Sequence, residues 1–131
     1  MSKTRVNKAK GRTGQQEVRD KILETFSELS LGDVRSTAMG QGGVDIQLSP
    51  KALSLLPIST EVKRRKDLAT VYNWYNQADR KDGNEPVVFF RGDRKPWVVF
   101  LSLDYYMELA YAMAKNQGQI KEEKGDESLE H

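Results

Sequence analysis

The chain has no cysteine, and its one histidine is the terminal residue, His131. Disulfides and thiolate metal centres are therefore excluded. The end Leu129-Glu130-His131 reads as the remnant of an affinity tag and is set aside, which removes histidine ligands and histidine general bases as well. Any chemistry must come from carboxylates, lysine, hydroxyls and hard cations. There is no apolar run long enough to span a bilayer, and the N-terminus lacks the apolar core of a secretion signal. These absences predict a cytoplasmic protein with no membrane contact.

A chain of 131 residues suffices for one compact domain with its own core. The net charge of +2 is unevenly spread. Residues 1–12 carry Lys3, Arg5, Lys8, Lys10 and Arg12 and no acid, whereas residues 115–131 hold three lysines against five acids. A flexible basic arm of this kind suits contact with phosphate backbones. The expected organisation is the arm at 1–12, a folded domain at 13–114 and a polar tail at 115–131.

A helix is predicted over 13–29, with Val18, Ile22, Phe26 and Leu29 at helical spacing as its buried stripe. Gln15 extends that stripe towards the N-terminus, while Glu17, Asp20, Lys21, Glu24 and Glu28 face outward. Val34–Thr37 reads as a short strand, followed by the glycine-rich loop Met39-Gly40-Gln41-Gly42-Gly43. Val44–Leu48 alternates apolar and polar residues, as a half-buried strand should, which puts Asp45 and Gln47 on the non-core face. Ser49-Pro50 opens a short helix through Leu56. Ile58–Lys63 is the next expected strand, with Glu61 and Lys63 on one side and Ile58, Thr60 and Val62 on the other. A second long helix is expected over 67–82, with Leu68, Val71, Tyr72 and Tyr75 on its apolar side. Pro86–Arg91 and Trp97–Leu101 read as strands covered on both faces. The last helix spans 103–114. The fold class predicted is α/β: a single-domain mixed β-sheet flanked by helices.

Two adjacent strands thus present acids on their non-core faces. Asp45 and Glu61 converging on one point would make a site for a hard cation, which binds carboxylate, water and phosphate oxygens. Such a cation activates water and neutralises charge at a phosphate. Lys63, on the same side as Glu61, is placed to orient the water or stabilise developing charge. Arg64, Arg65 and Lys66 add positive charge beside it.

Gly43-Val44-Asp45 followed by Glu61-Val62-Lys63 resembles the PD-(D/E)XK nuclease pattern, with valine in place of the proline. Lys10-Gly11-Arg12-Thr13-Gly14-Gln15-Gln16 resembles the opening of the Holliday junction resolvases of that superfamily. Arg35-Ser36-Thr37-Ala38-Met39-Gly40 resembles their serine-bearing loop, and the stretch from Val34 to Gln77 is similar to phage-encoded members. The resemblance covers residues 10–101. It implies a restriction-endonuclease-like fold, Mg²⁺ or Mn²⁺ as cofactor, and hydrolysis of phosphodiester bonds in branched DNA by a homodimer. Asp45 and Glu61 would be metal ligands and Lys63 the catalytic lysine. The first-helix glutamate of the resolvases falls on Gln15, whose neutral amide lacks the charge to hold a second metal firmly. Gln77 matches a glutamine that many superfamily members carry near the site.

Contacts to DNA are expected from Lys8, Lys10, Arg12, Arg35, Ser36, Arg64, Arg65, Lys66 and Gln77. Arg94 and Lys95 sit at a hairpin tip, where charge is common. Trp74 and Trp97 are expected to be packing residues rather than base-stacking platforms. The last helix, with Leu103, Tyr105, Tyr106, Met107, Leu109, Tyr111 and Met113, has little polar face, which suggests a dimer contact. Two alternatives to a junction resolvase stand beside it. One is a nuclease-fold DNA-binding protein with weak or no catalysis, and the other is a general DNA-repair or restriction-type endonuclease.

Overall fold

The computed structural model describes the backbone of residues 3–38 and 43–120 and the side chains of residues 13–38 and 43–120. In chain order the elements are α1 (Lys3–Thr25), β1 (Val34–Ser36), β2 (Ile46–Leu48), α2 (Pro50–Leu55), α3 (Ala69–Ala78), β3 (Val87–Phe90), β4 (Val98–Leu101) and α4 (Leu103–Asn116). No helix among them is long and apolar enough to cross a membrane.

The helix ends at Thr25 rather than at 29, and its apolar stripe, continued by Phe26 and Leu29 just beyond it, builds the core. Ile22 and Phe26 are fully buried, Leu29 nearly so, and Val18 packs at the margin. They meet Val34 of β1, Ile46 of β2, Ala52 and Leu55 of α2, and Met107 and Ala114 of α4. Ile120 is buried in the same core, so the domain reaches past the expected boundary at 114. The helix also begins at Lys3 rather than at 13, so the expected arm has helical backbone from that point. Lysine, alanine, glutamine and arginine are good helix formers, and their propensity outweighs Gly11 and Gly14. The side chains of Lys8, Lys10 and Arg12 lie outside the described residues.

Two residues expected to face outward, Lys21 on α1 and Glu28 just past its end, are instead half-buried. Lys21 reaches Asp104 of α4 at 2.7 Å and ties the two helices together. That partner raises the Lys21 pKa above its ordinary value. Glu28 has an oxygen, Oε2, that is buried with no hydrogen-bond partner among the described residues.

The α/β character is as expected, but the single mixed sheet is not found. The described strands form two separate antiparallel two-stranded sheets, β1–β2 and β3–β4. The reason lies at the outer edge of β2. There the Ile46 N–H donates to Thr60 Oγ1 at 2.9 Å, and the same hydroxyl donates to the Ile46 carbonyl at 3.1 Å. A side chain thus occupies the positions a neighbouring strand would use. Residues 58–63 run alongside β2 without becoming a regular strand.

The β3–β4 hairpin is registered Val87 opposite Leu101 and Phe90 opposite Val98. It packs on α3 through Trp74, whose ring lies 6.3 Å from Phe100 and 6.2 Å from Phe90. Burial on both faces was expected from its apolarity, yet Phe89 is 70% exposed, and Val98 and Val99 are also exposed. Helix α3 starts at Ala69 and buries no residue fully. Val71 and Tyr72, expected on its apolar side, face water, and Trp74 makes the contact instead.

Candidate functional site

Four segments meet where the sequence placed its candidate chemistry. β1 and β2 pair with Ser36 opposite Ile46, and the Thr37 N–H extends the ladder to the Asp45 carbonyl at 2.9 Å. Asp45 therefore sits one residue before β2, held on its inner side by β1. Its own N–H donates to the Thr60 carbonyl at 3.2 Å. Its carboxylate oxygen Oδ2 accepts from the Val62 N–H at 2.6 Å. The Asp45 carboxylate is thus docked on the backbone between Glu61 and Lys63.

The alternation expected for 58–63 survives without the ladder. Ile58, Thr60 and Val62 are half-buried, and Ile58 and Val62 pack against the core. Glu61 and Lys63 are exposed on the other side, where Lys63 Nζ pairs with Glu61 Oε1 at 2.7 Å. An exposed pair of this kind is worth little in water and exchanges readily for other partners.

Helix α1 supplies the fourth segment. Gln15 is 4% exposed, at the N-terminal end of the core stripe, as the periodicity predicts. Its Oε1 accepts the Ser36 hydroxyl proton at 2.6 Å. One residue earlier, a Cβ added at Gly14 would stand 3.2 Å from Arg64 Cβ and 3.5 Å from a Val62 methyl. The absence of a side chain at 14 lets the helix lie directly against the segment bearing Glu61 and Lys63. Gln15, Ser36, Asp45 and Val62 therefore form one contiguous cluster, with Glu61 and Lys63 on its solvent side.

The surrounding charge is basic. Arg64, Arg65 and Lys66 are exposed beside the cluster, and Arg35 is exposed on β1. Arg35 also lines a cavity of about 570 Å³ with Gln16, Arg19 and Ser36. Gln77 lies elsewhere, on the lining of a cleft between α3 and β3. The loop residues 39–42 lie outside the described residues.

Among the described residues, no group of three or more histidine, cysteine or carboxylate side chains is placed to share a metal ion. Asp45 and Glu61 lie on neighbouring segments, the Asp45 carboxylate bonded to the Val62 N–H and the Glu61 carboxylate paired with Lys63. Mg²⁺ is commonly held by one or two carboxylates, with water and phosphate oxygens completing its shell. By their chemistry, two carboxylates could hold Mg²⁺ or Mn²⁺ only in that open mode, not in a closed, protein-only site.

Sequence reasoning missed Thr60, whose hydroxyl joins β2 to the Glu61 segment. Its signal was a hydroxyl on the inward side of an otherwise apolar alternation. Sequence reasoning also gave Asp33 no role. Asp33 accepts from the Ser30 N–H at 3.0 Å and from the Ser49 hydroxyl at 2.7 Å. These bonds, the Ser30 N–H first, hold its carboxyl below the usual range. Ser49 in turn caps α2 by accepting from the Ala52 N–H at 3.1 Å, the role its sequence position predicts.

Comparison with known protein families, with characterised proteins and with solved structures gives no match.

Proposed function

We propose that this protein is a Mg²⁺-dependent endonuclease of the PD-(D/E)XK type acting on branched DNA, as a Holliday junction resolvase does. The observation that carries the reading is the Asp45 carboxylate bonded to the Val62 N–H, between Glu61 and Lys63. That bond brings Asp45 to the backbone of Val62, 17 positions along the chain.

Asp45 and Glu61 would hold the cation. When bound it would lower the pKa of a coordinated water and neutralise charge on the scissile phosphate. Lys63 already stands 2.7 Å from a Glu61 oxygen, so its ammonium is positioned beside that ligand and can stabilise an oxyanion. Arg64, Arg65 and Lys66 present exposed positive charge to the backbone of the substrate, a salt-sensitive contribution. Gln15 and Ser36 fix α1 and β1 around the aspartate without adding charge.

The reading includes a homodimer. Leu109 and Met113 of α4 are 48% and 56% exposed and line an apolar groove of about 740 Å³ with Phe89 and Val99. A two-fold pair of sites would suit a four-way junction, which has two symmetric strands to cut.

The test is incubation with a synthetic four-way junction, a linear duplex and a single strand, in Mg²⁺ or EDTA. We expect Mg²⁺-dependent cutting of the junction that Asp45→Asn abolishes. Equal cutting of every substrate would replace the resolvase reading with a general DNA-repair nuclease, and cutting of one duplex sequence with a restriction-type enzyme. A second reading, a DNA-binding protein with little catalysis, draws on Gln15, whose amide oxygen is engaged by Ser36 and brings no charge. Tight junction binding with no cleavage in Mg²⁺ or Mn²⁺ would favour it.

A further inference from the structure

The two tryptophans of the chain, Trp74 and Trp97, both line the cleft between α3 and β3. The cleft has a volume of about 540 Å³. Trp97 is 65% exposed, and the Arg91 guanidinium lies over its ring at 5.5 Å. Trp74 is 40% exposed but held in place by Phe90 and Phe100. An indole left this open is not explained by packing.

The charge on the cleft is one-sided. Among the described residues, Arg80 and Arg91 line it and no acid does. The acid next to Arg80 in sequence, Asp79, is neutralised by Lys81 at 2.9 Å. Gln77 adds an amide that can donate to and accept from a base edge. Exposed aromatic faces combined with arginines and no acid match the physical requirements of unpaired nucleotides. Bases stack on the rings regardless of sequence, and phosphates take the positive charge. A peptide strand added to β3 would need neither the arginines nor the open indole.

We infer that the α3–β3 cleft binds a short single-stranded DNA segment, with a base stacked on Trp97 and phosphates held by Arg80 and Arg91. The inference rests on the nuclease reading in taking DNA as the ligand. It gives Gln77 a role in this cleft rather than at the cation site. It also assigns to Trp97 a surface function in place of packing.

Both tryptophans of the chain line this cleft, so tryptophan emission reports on it. The full-length protein is titrated with a twelve-residue oligothymidylate in EDTA, following tryptophan emission. We expect saturable quenching, weakened about tenfold or more by Trp97→Ala and largely restored by Trp97→Phe. Arg91→Gln should flatten the dependence of affinity on salt. Absent quenching would overturn the inference, as would equal affinity of wild type, Trp97→Ala and Arg91→Gln. A blunt duplex binding as well as the single strand would do the same. Because EDTA prevents cleavage, the two readings separate. Quenching without junction cutting keeps the cleft and removes the nuclease, and cutting without quenching does the reverse.

Discussion

The Asp45 carboxylate accepts a hydrogen bond from the Val62 N–H at 2.6 Å, so a proposed cation ligand also serves as a structural clamp. The two roles can be separated by substitution. Asparagine keeps an oxygen for the Val62 N–H but loses the charge. Alanine loses both and leaves a half-buried N–H without its partner. We expect Asp45→Asn to abolish cleavage with a stability loss under about 1 kcal/mol, and Asp45→Ala to cost about 1–3 kcal/mol in urea unfolding. An Asp45→Ala protein as stable as wild type would show that the clamp contributes nothing.

The periodic features of this fold were legible in the sequence because they depend on local geometry. The stripe Val18, Ile22, Phe26 and Leu29, with Gln15 as its continuation, follows from 3.6 residues per turn and is found buried. The Ser49-Pro50 helix start is read from a cap that the chain makes by itself. Strand partners depend on non-local bonds, and there the sequence is silent. Nothing in the residues around Thr60 announces that its hydroxyl will take the edge of β2. Apolarity was also a poor guide to cover. Val87-Val88-Phe89-Phe90 reads as a doubly buried strand, but only α3 covers it closely, and Phe89 remains in solvent.

Gln15 offers a direct test of how charge limits the site. The Ser36 hydroxyl donates to its Oε1 at 2.6 Å, and a glutamate would accept the same proton. Gln15→Glu therefore preserves the contact and adds a negative charge at Ser36, whose neighbour Thr37 bonds the Asp45 carbonyl. We expect half-maximal cleavage at a Mg²⁺ concentration several-fold lower, read from a titration of junction cutting. Gln15→Leu leaves the Ser36 hydroxyl without an acceptor in a largely buried position and should cost about 1–3 kcal/mol. An unchanged Mg²⁺ dependence in Gln15→Glu would place residue 15 away from the cation.

Asp33 sets an acid limit on the fold. Its carboxylate accepts from Ser30 and Ser49, and its pKa is lowered from the ordinary value, chiefly by the Ser30 N–H. A carboxyl depressed in the folded state contributes stability that is present above its unfolded pKa, about 3.9. That contribution is lost as pH falls from there through the folded value. Asparagine at 33 has no such titration. We expect urea midpoints measured between pH 5 and about pH 2.5 to fall less steeply in Asp33→Asn than in wild type. Parallel pH dependences would mean that the Ser30 and Ser49 bonds do not favour the ionised form.

The exposed apolar face of α4 leads to a last expectation, about assembly. Leu109 and Met113 stand in water next to Phe89 and Val99 across a groove of about 740 Å³. Contiguous apolar surface of this kind mediates association when a matching surface meets it. A stable dimer needs about 800 Å² buried on each partner, of which this face would form the apolar centre. We expect the full chain to sediment as a dimer at micromolar concentration. Leu109→Glu should raise the dissociation constant at least about tenfold, because it would desolvate a charge at the contact without a partner. Circular dichroism of that variant should match wild type, since a side chain already half in solvent contributes little to the core. Junction cutting would then lose the coordinated incision of both strands while single nicks persist. A wild-type chain that remains monomeric at tens of micromolar would remove the dimer from the proposed mechanism and leave one site to act alone.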